Sequence, residues 1–253
     1  MPLQILWPRK ALRVGHIIVL SLRVLSRSLE SLVLVPYCLN GLVVEGDYVK
    51  WIGATHSLKI LRLSDCGLNG SLYSQGHDIP RNVEAFKQLP SNPKFTWTFW
   101  KLKRFQADNN TIYVEREMQS SVPRFQSNEI RLSCCGDAGQ FPQFLYYQRD
   151  LWYVDLSNIN LQGEFPNWLL QNNTNLRSLD LANNSLQGHF ELQFPPLTDL
   201  SHLDISKNSI NGNVPIEIGV KLPSLSYLNM SRNHFQGSIP ASIGDMNFLE
   251  YLD

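Results

Sequence analysis

The amino-acid sequence predicts an α/β solenoid in which short parallel strands from successive repeats form one sheet on the concave face. Leucines, an asparagine and a glycine recur in the same order from Leu151 onward. Equivalent strand positions lie 25, 24 and 25 residues apart, at Leu156, Leu181, Ile205 and Met230. This period and the pattern L-x-x-L-x-L-x-x-N-x-L are typical of leucine-rich repeats, which form a right-handed horseshoe or superhelix.

The L-x-L segment of each repeat is predicted to be its strand. Because side chains alternate along a strand, we expect Leu179 and Leu181 to face the interior and Asp180 to face solvent. Later apolar residues, such as Leu186 and Phe190, are expected to fill the layer behind the sheet. A single repeat cannot bury its apolar face, so stability should come from the stacking of neighbouring repeats.

A polar position follows each strand, where the chain turns inward. An asparagine amide there can pair with backbone groups, each of which would cost roughly 1–3 kcal/mol if buried without a partner. We call this the asparagine position; it is occupied by Asn110, Asn184, Asn208, Asn233, Cys66 and Cys135. Ile159 breaks the pattern. The sequence G-x-[apolar]-P follows in three repeats, at residues 163–166, 212–215 and 237–240.

The repeat predicts a leucine-rich-repeat domain over residues 29–253. Its pattern is degenerate at 77–101, where Val83 and Phe86 are candidates for an incomplete repeat. The chain stops at Asp253 inside a predicted strand, with no terminal repeat to cover the core. We therefore expect a fragment or a truncated gene model.

Residues 1–28 do not follow the repeat and are interpreted as an irregular N-terminal segment. The apolar run at 14–22 resembles the core of a signal peptide, but it contains His16 and no small-x-small cleavage site follows it. The alternatives are a signal-like segment, a damaged repeat or a spurious start. No run of about 18–20 apolar residues occurs, so no membrane-spanning segment is expected in this chain.

Composition and motifs argue against several function classes. Lysine plus arginine number 22 and aspartate plus glutamate number 22, so the net charge is zero and no nucleic-acid partner is expected. The sequence has no phosphate-binding loop, nucleophile elbow, dinucleotide fingerprint or H-E-x-x-H motif. Cys134 and Cys135 are adjacent, which suits neither a usual disulfide nor a zinc site. We therefore expect no enzymatic activity, no cofactor and no metal site.

The residues flanking each L-x-L are expected to form two rows on the concave face. The first row is Arg104, Glu129, Tyr153, Ser178, His202, Tyr227 and Tyr251. The second row is Gln106, Arg131, Asp155, Asp180, Asp204, Asn229 and Asp253. Interfaces favour aromatic residues and arginine as anchors. The ligand-contact candidates are therefore Trp152, Tyr153, His202, Tyr227 and Arg232. The alternative is a solvated surface without a ligand, on which the aspartates are simply exposed residues.

Glycosylation motifs of the form N-x-[S/T] indicate a secreted surface. They occur at Asn69, Asn109, Asn172, Asn183 and Asn229. Asn172 is expected on the convex side, where a glycan has most room. Asn229 lies within a predicted strand, so a glycan there would stand on the concave face.

Several segments resemble plant leucine-rich-repeat receptor-like proteins. They are residues 65–70, 132–136, 163–170, 222–225 and 229–233. The resemblance is clear from Leu102 to the end and patchy between residues 29 and 76. It implies a cell-surface receptor with an extracellular solenoid, one membrane helix and a short tail without a kinase. Such proteins are implied to sense peptides or pathogen molecules and to signal through receptor kinases.

The resemblance implies that this chain is a ligand- or protein-binding ectodomain fragment. Its implied location is the extracellular face of the cell membrane, with attachment only through a segment that the chain lacks. Its implied role is signal perception in defence or development, with a protein or peptide ligand and a partner receptor kinase. Two alternatives remain open: the ectodomain of a leucine-rich-repeat receptor kinase, and a secreted inhibitor of a cell-wall hydrolase such as a polygalacturonase inhibitor.

Overall fold

The computed structural model describes residues 31–33, 59–62, 64, 69–73, 94–96, 101–114, 125–136 and 138–253. Several sequence predictions fall outside the described residues. These are the N-terminal segment 1–28, Cys66, Val83 and Phe86.

Short strands and shorter helices alternate along the described chain. The strands are β1 (Ser31–Val33), β2 (Ile60–Arg62), β3 (Asn69–Tyr73), β4 (Lys94–Thr96), β5 (Arg104–Gln106), β6 (Thr111–Val114), β7 (Glu129–Arg131), β8 (Tyr153–Asp155), β9 (Gln162–Glu164), β10 (Ser178–Asp180), β11 (Ser185–His189), β12 (His202–Asp204), β13 (Ser209–Asn213), β14 (Tyr227–Asn229), β15 (His234–Gln236) and β16 (Tyr251–Leu252). The helices are α1 (Asn167–Asn172) and α2 (Ile218–Lys221), with 3-10 turns at Gln143–Tyr147 and Ala241–Asp245.

The main sheet contains nine parallel strands in the order β1-β2-β5-β7-β8-β10-β12-β14-β16. Its register places Leu179 opposite Val154 on one side and Leu203 on the other, and all three side chains are fully buried. Leu186 and Phe190 are buried behind the sheet, as expected. The predicted solenoid with a parallel sheet is therefore confirmed.

The degenerate interval contributes to a different sheet. β2 is hydrogen-bonded directly to β5, with Leu61 opposite Phe105. The strand β4 of this interval instead pairs with β3 in a three-stranded sheet of order β4-β3-β6.

A second parallel sheet, which the sequence analysis did not predict, lies beyond the inward turn. It has four strands in the order β15-β13-β11-β9. Gly212 of β13 has φ +84°, and a Cβ there would lie 2.6 Å from the His189 ring. All three glycines of the G-x-[apolar]-P pattern have positive φ, and at Gly212 and Gly237 an added Cβ would also meet a side chain of the preceding repeat.

The asparagine position has the predicted role. Asn208 accepts a hydrogen bond from the Leu186 amide at 3.0 Å and donates to the carbonyls of Leu181, Ile205 and Ser206 at 3.0–3.1 Å. Since Leu181 belongs to the preceding repeat and Ile205 to its own, one buried amide joins two repeats. Asn233 does the same one repeat later.

The two departures from asparagine in the described chain are compensated locally. Cys135 is buried and its thiol lies 2.7 Å from the Ala107 carbonyl. Burial raises the pKa of Cys135 to about 12, so the thiol stays protonated and can donate. Ile159 has no side-chain donor, but its backbone amide donates to Asn184 of the next repeat at 3.2 Å.

A left-handed residue precedes every described asparagine position. The φ angles lie between 54° and 57° at Asn109, Cys134, Asn158, Asn183, Lys207 and Arg232. Asparagine tolerates this conformation better than arginine or lysine does. The left-handed conformation at Lys207 and Arg232 was not predicted from the sequence.

Two buried amides secure the convex side. Asn173 accepts from the Leu151 amide and donates to the Leu169 carbonyl, both at 3.0 Å. Gln148, one repeat earlier, accepts from Ser127 at 2.7 Å and donates to Phe144 at 3.1 Å. Among the described residues, no helix has the length and apolar character needed to cross a bilayer.

Candidate functional site

The concave surface is formed by the first and third residues of each main-sheet strand. The register aligns Tyr153, Ser178, His202, Tyr227 and Tyr251 in one row. The predicted alignment of the two rows is therefore confirmed for the described strands. The side chains of these rows form two groups with different chemistry.

The first group, here called the charged cluster, consists of Arg104, Gln106, Glu129 and Arg131 on β5 and β7. Glu129 is only 3% exposed, although it is a carboxylate on the concave face. Its oxygens lie 2.8 Å from Arg131 Nε and 3.6 Å from Arg104 Nε, and Gln106 Nε2 donates to it as well. The two guanidinium groups compensate the loss of hydration of this buried carboxylate.

Two aromatic candidates extend the charged cluster along the sheet. The Arg131 guanidinium lies over the Tyr153 ring, 4.1 Å from its centroid, and the Arg104 guanidinium lies 5.7 Å from the Trp152 ring centroid. Such cation–π contacts contribute about 0.5–1 kcal/mol at exposed sites. Burial raises the pKa of Tyr153, so its hydroxyl remains neutral.

The second group, here called the aromatic stack, consists of His202, Tyr227 and Tyr251 on β12, β14 and β16. The His202 and Tyr227 rings are 4.3 Å apart and inclined by 13°. The Tyr227 and Tyr251 rings are 4.4 Å apart and inclined by 5°. These separations are close to the ~4.8 Å spacing of adjacent strands. Burial lowers the pKa of His202, which leaves the imidazole mostly uncharged at neutral pH.

The central tyrosine of the stack is held by hydrogen bonds. The Tyr227 hydroxyl donates to Asp204 Oδ2 at 3.2 Å, and Asn229 Nδ2 donates to the same oxygen at 3.2 Å. Tyr227 therefore has a defined orientation before any ligand binds. A preorganised aromatic side chain loses little conformational entropy when it is covered by a partner.

The aspartates of the second row have a structural role that the sequence analysis missed. Asp155, Asp180 and Asp204 are partly buried, and each accepts the backbone amide two residues later at 2.9–3.1 Å. They close the turn after the strand and are not simply exposed residues, as the alternative interpretation had assumed. Burial, with a smaller effect of the neighbouring carboxylates, raises the pKa of Asp180 to about 6.

The five ligand-contact candidates do not all lie together. Trp152 and Tyr153 adjoin the charged cluster, and His202 and Tyr227 belong to the aromatic stack. Arg232 is exposed in the left-handed turn after β14 rather than in either row.

The structure adds Arg104, Glu129 and Arg131 to the candidates, and it adds Tyr251 to the aromatic stack. All four residues belong to the two rows predicted from the sequence, but only the structure shows which residues of these rows are in contact. A signal was present in the sequence, because opposite charges at matching positions of adjacent strands favour pairing across the sheet.

The glycosylation motifs fall in different environments. Asn172 is the last residue of α1, and Asn229 lies in β14 on the concave face. Asn109 and Asn183 occupy left-handed turn positions, and Asn69 begins β3. Within the described ranges, no group of three or more histidines, cysteines or acidic residues is placed to hold a metal ion.

Comparison with known proteins agrees with this architecture. Residues 174–235 match the leucine-rich-repeat family. The chain is 37% identical over 213 residues to Receptor-like protein 1 of Arabidopsis thaliana, covering 81% of this chain and 18% of that protein. It is 32% identical over 182 residues to Cuscuta receptor 1 of Solanum lycopersicum, covering 68% of this chain and 16% of that protein.

Among solved structures, the plant peptide hormone receptor RGFR1 in complex with RGF2 has the same fold. The TM-score is 0.53 at 22% identity, over 78% of this chain and 32% of that one. The chain spans less than a fifth of the length of the two curated relatives above. Its repeats and its sheet show that the chain is a leucine-rich-repeat protein, and its sequence is similar to the leucine-rich-repeat receptor-like proteins of plants.

Proposed function

We propose that the concave face is the recognition surface of the extracellular part of a plant receptor-like protein and that it binds a protein or peptide. The observation that supports this most directly is the presence of the preorganised aromatic stack and the charged cluster on one continuous sheet, separated by two strands. The proposal includes binding rather than catalysis, a place on the extracellular face of the cell membrane, and signalling in defence or development through a partner receptor kinase.

The aromatic stack supplies the kind of surface that interfaces use as an anchor. Tyrosine offers a large apolar ring and a polar hydroxyl, so it can exclude water from a contact and still form hydrogen bonds. Tyr227 and Tyr251 stack with their ring centroids 4.4 Å apart. The proposed ligand therefore places an apolar or aromatic side chain against Tyr227 and Tyr251.

The charge along the surface is uneven, which restricts the ligand. The charged cluster has two guanidinium groups and one carboxylate, whereas Asp155, Asp180 and Asp204 follow on the next strands. From β8 to β14 the sheet spans three strand spacings, or about 14 Å. An extended peptide of roughly four or five residues covers this distance. We propose that such a peptide lies with its more acidic end toward Arg104 and Arg131.

A peptide library displayed on phage tests this proposal. The library is selected on the whole 253-residue chain, and enriched peptides are then measured against variants Tyr153→Ala and Tyr227→Ala. We expect either variant to weaken binding by at least tenfold, which corresponds to about 1.4 kcal/mol. Ile216→Ala is a matched control, because Ile216 is 81% exposed and lies between β13 and α2, outside the main sheet. Peptides that bind both tyrosine variants as tightly as the wild type would contradict the proposal.

The two alternative functions differ in what accompanies this solenoid in the complete protein. A kinase domain in the full-length transcript would favour a receptor kinase, and a stop shortly after a cysteine-containing terminal repeat would favour a secreted inhibitor. A membrane helix followed by a short tail would support the receptor-like protein.

A further inference from the structure

Among the glycosylation motifs, Asn172 differs from Asn183 and Asn229 in its side-chain hydrogen bonds. Asn183 Nδ2 donates to Asn158 Oδ1 at 2.6 Å. Asn229 Nδ2 donates to Asp204 Oδ2 at 3.2 Å and to the Tyr227 hydroxyl at 3.4 Å. A glycan on either nitrogen would disturb these bonds. Within the described part of the chain, the Asn172 side chain has no hydrogen-bond partner.

The motif that contains Asn172 is presented at the end of a fixed helix. The middle residue, Asn173, is completely buried and is bonded to Leu151 and Leu169. The hydroxyl-bearing residue, Thr174, is exposed in the turn that follows. The helix end is therefore held in place, with Asn172 half-buried and Thr174 exposed.

An aromatic pair lies one helical turn before Asn172. Trp168 and Asn172 are separated by four residues, which places them on the same face of α1. Trp168 stacks on Tyr146 with a centroid distance of 4.1 Å and an angle of 25°, and it meets Phe141 edge-on at 5.8 Å. Tyr146 is nevertheless 43% exposed. The pair presents apolar ring surface to solvent on the convex side.

Helix geometry directs a group attached to Asn172 toward this pair. Side chains on an α-helix lean toward its N-terminus, so a residue covers the surface over the preceding turn. For Asn172, the preceding turn contains Trp168. We propose that Asn172 is N-glycosylated and that the first sugar of its glycan packs with its apolar face on the Tyr146–Trp168 pair.

The modification needs a donor of a defined class, a lipid-diphosphate-linked oligosaccharide of the secretory pathway. The bond between sugar C1 and the diphosphate oxygen breaks, and a bond between C1 and Asn172 Nδ2 forms. Nδ2 loses one proton, and the lipid diphosphate leaves with the electron pair. The inference rests on the extracellular location included in the proposed function.

Site occupancy is the first test. The whole 253-residue chain is given an added secretion leader and expressed in cells that make only high-mannose glycans, and glycopeptides are then identified by mass spectrometry. We expect Asn172 to be occupied in most molecules and more fully than Asn183 or Asn229. Thr174→Ala should remove this glycan, whereas the matched control Thr174→Ser should retain it. An unmodified Asn172 in a secreted chain that is glycosylated at Asn183 or Asn229 would overturn the inference.

The sugar–aromatic contact requires a second measurement. Trimming the glycans with an endoglycosidase leaves one sugar on Asn172, and this protein is compared with Thr174→Ala, which has none. We expect the single sugar to raise the Tm by ~2 °C. The difference should vanish when Tyr146→Ser is introduced and should be absent when both chains are made without glycans in bacteria. Equal melting of the trimmed and Thr174→Ala proteins would contradict the contact.

These results are separable from the proposed function. The added leader delivers the chain to the glycosylation machinery whatever its natural location, so an unoccupied Asn172 reports on the site itself. Peptide binding is measured at Tyr153 and Tyr227 on the concave sheet, and Thr174→Ala should leave that binding unchanged. Loss of peptide binding with an intact Asn172 glycan would contradict only the recognition surface.

Discussion

The upstream repeats (residues 102–161) and the downstream repeats (residues 176–253) share one continuous sheet but satisfy their buried polar groups differently. Downstream, Asn184, Asn208 and Asn233 occupy the asparagine position. Upstream, the same position holds Cys135 and Ile159 after Asn110. All three downstream turns therefore have an amide, whereas two of the three upstream turns depend on a thiol and on a neighbouring repeat.

The two regions also differ on the concave face. The upstream strands place a nearly buried carboxylate between two arginines, and the downstream strands place three aromatic rings in a stack. The backbone register is the same in both, so the difference is one of side-chain chemistry alone. It indicates that the backbone of a repeat constrains its interior much more than its exposed face.

The largest difference in stability is expected between substitutions at the asparagine position of a downstream repeat and of an upstream repeat. Asn208→Ala removes four hydrogen bonds and leaves buried backbone groups unpaired, so we expect a loss of about 3–4 kcal/mol in the free energy of unfolding. Cys135→Ala removes one weak contact and should cost about 1 kcal/mol. Urea unfolding followed by circular dichroism measures both. Equal losses would show that the upstream turn depends on its side chain as much as the downstream turn does.

The next largest loss of stability is expected where two downstream repeats pack closely at Gly219. A Cβ on Gly219 would lie 1.9 Å from the Ser242 carbonyl oxygen, a backbone atom that cannot move freely. We expect Gly219→Ala to cost about 2–3 kcal/mol through overpacking. Val220→Ala in the same helix is the control, because Val220 is 64% exposed. Thermal unfolding should show a lower Tm only for the first variant.

Glu129→Gln tests how much the charged cluster contributes to stability on the upstream part of the concave face. Glu129→Gln leaves Arg104 and Arg131 without their buried counter-charge, and both arginines are exposed enough to regain hydration in part. We therefore expect a loss of about 2 kcal/mol, less than for a fully buried pair. Asp199→Asn is the control, because its pair with Arg177 is exposed and 4.0 Å long and should contribute almost nothing. Chemical unfolding at pH 7 that shows equal midpoints for both variants would contradict this role of Glu129.

Asp180 gives the smallest effect and one that depends on pH. Its pKa is raised from 3.8 to about 6, so the folded chain binds a proton more tightly than the unfolded chain. The resulting stabilisation is complete below about pH 4 and is lost as the pH rises through 6. Asp180→Asn should therefore raise the free energy of unfolding at pH 7 by about 1 kcal/mol and flatten its pH dependence between pH 4 and 6.

Ala182→Ser tests whether the missing hydroxyl donor contributes to the raised pKa of Asp180. Asp155 accepts hydrogen bonds from both the amide and the hydroxyl of Ser157, whereas Asp180 accepts only the Ala182 amide. A serine hydroxyl at 182 should lower the pKa of Asp180, because it donates to the charged form. Titration monitored by NMR of the Asp180 carboxyl carbon would measure the change. An unchanged titration midpoint would show that the added hydroxyl does not reach the carboxylate.

Much of the fold could be predicted from particular residues. Leu156, Leu181 and Ile205 recur with a period that only stacked repeats explain, and the asparagine position has the partners expected of it. Other features could not be predicted. The left-handed conformation at Lys207 and Arg232 has no distinctive residue type, since it is set by the path of the turn. The pairing of β4 with β3 joins two segments that the repeat pattern does not relate to each other.

The candidate site was predictable only as a set of positions. Strand alternation places Tyr153, His202 and Tyr227 on the concave face, because each is two residues from a neighbour on the same side of the strand. It does not show that Glu129 is buried between two arginines or that Asp204 orients Tyr227. Those contacts depend on the distance between adjacent strands and on which rotamers fit beside each other.

The sequence by itself determined the repeat, the parallel sheet, the buried leucines and the amides that join the turns, since these follow from local periodicity and from the need to pair buried backbone groups. Only the tertiary structure decided which exposed side chains touch. Side chains on adjacent strands lie about 24 residues apart in the chain but about 5 Å apart in space, and their contacts depend on register, burial and charge together.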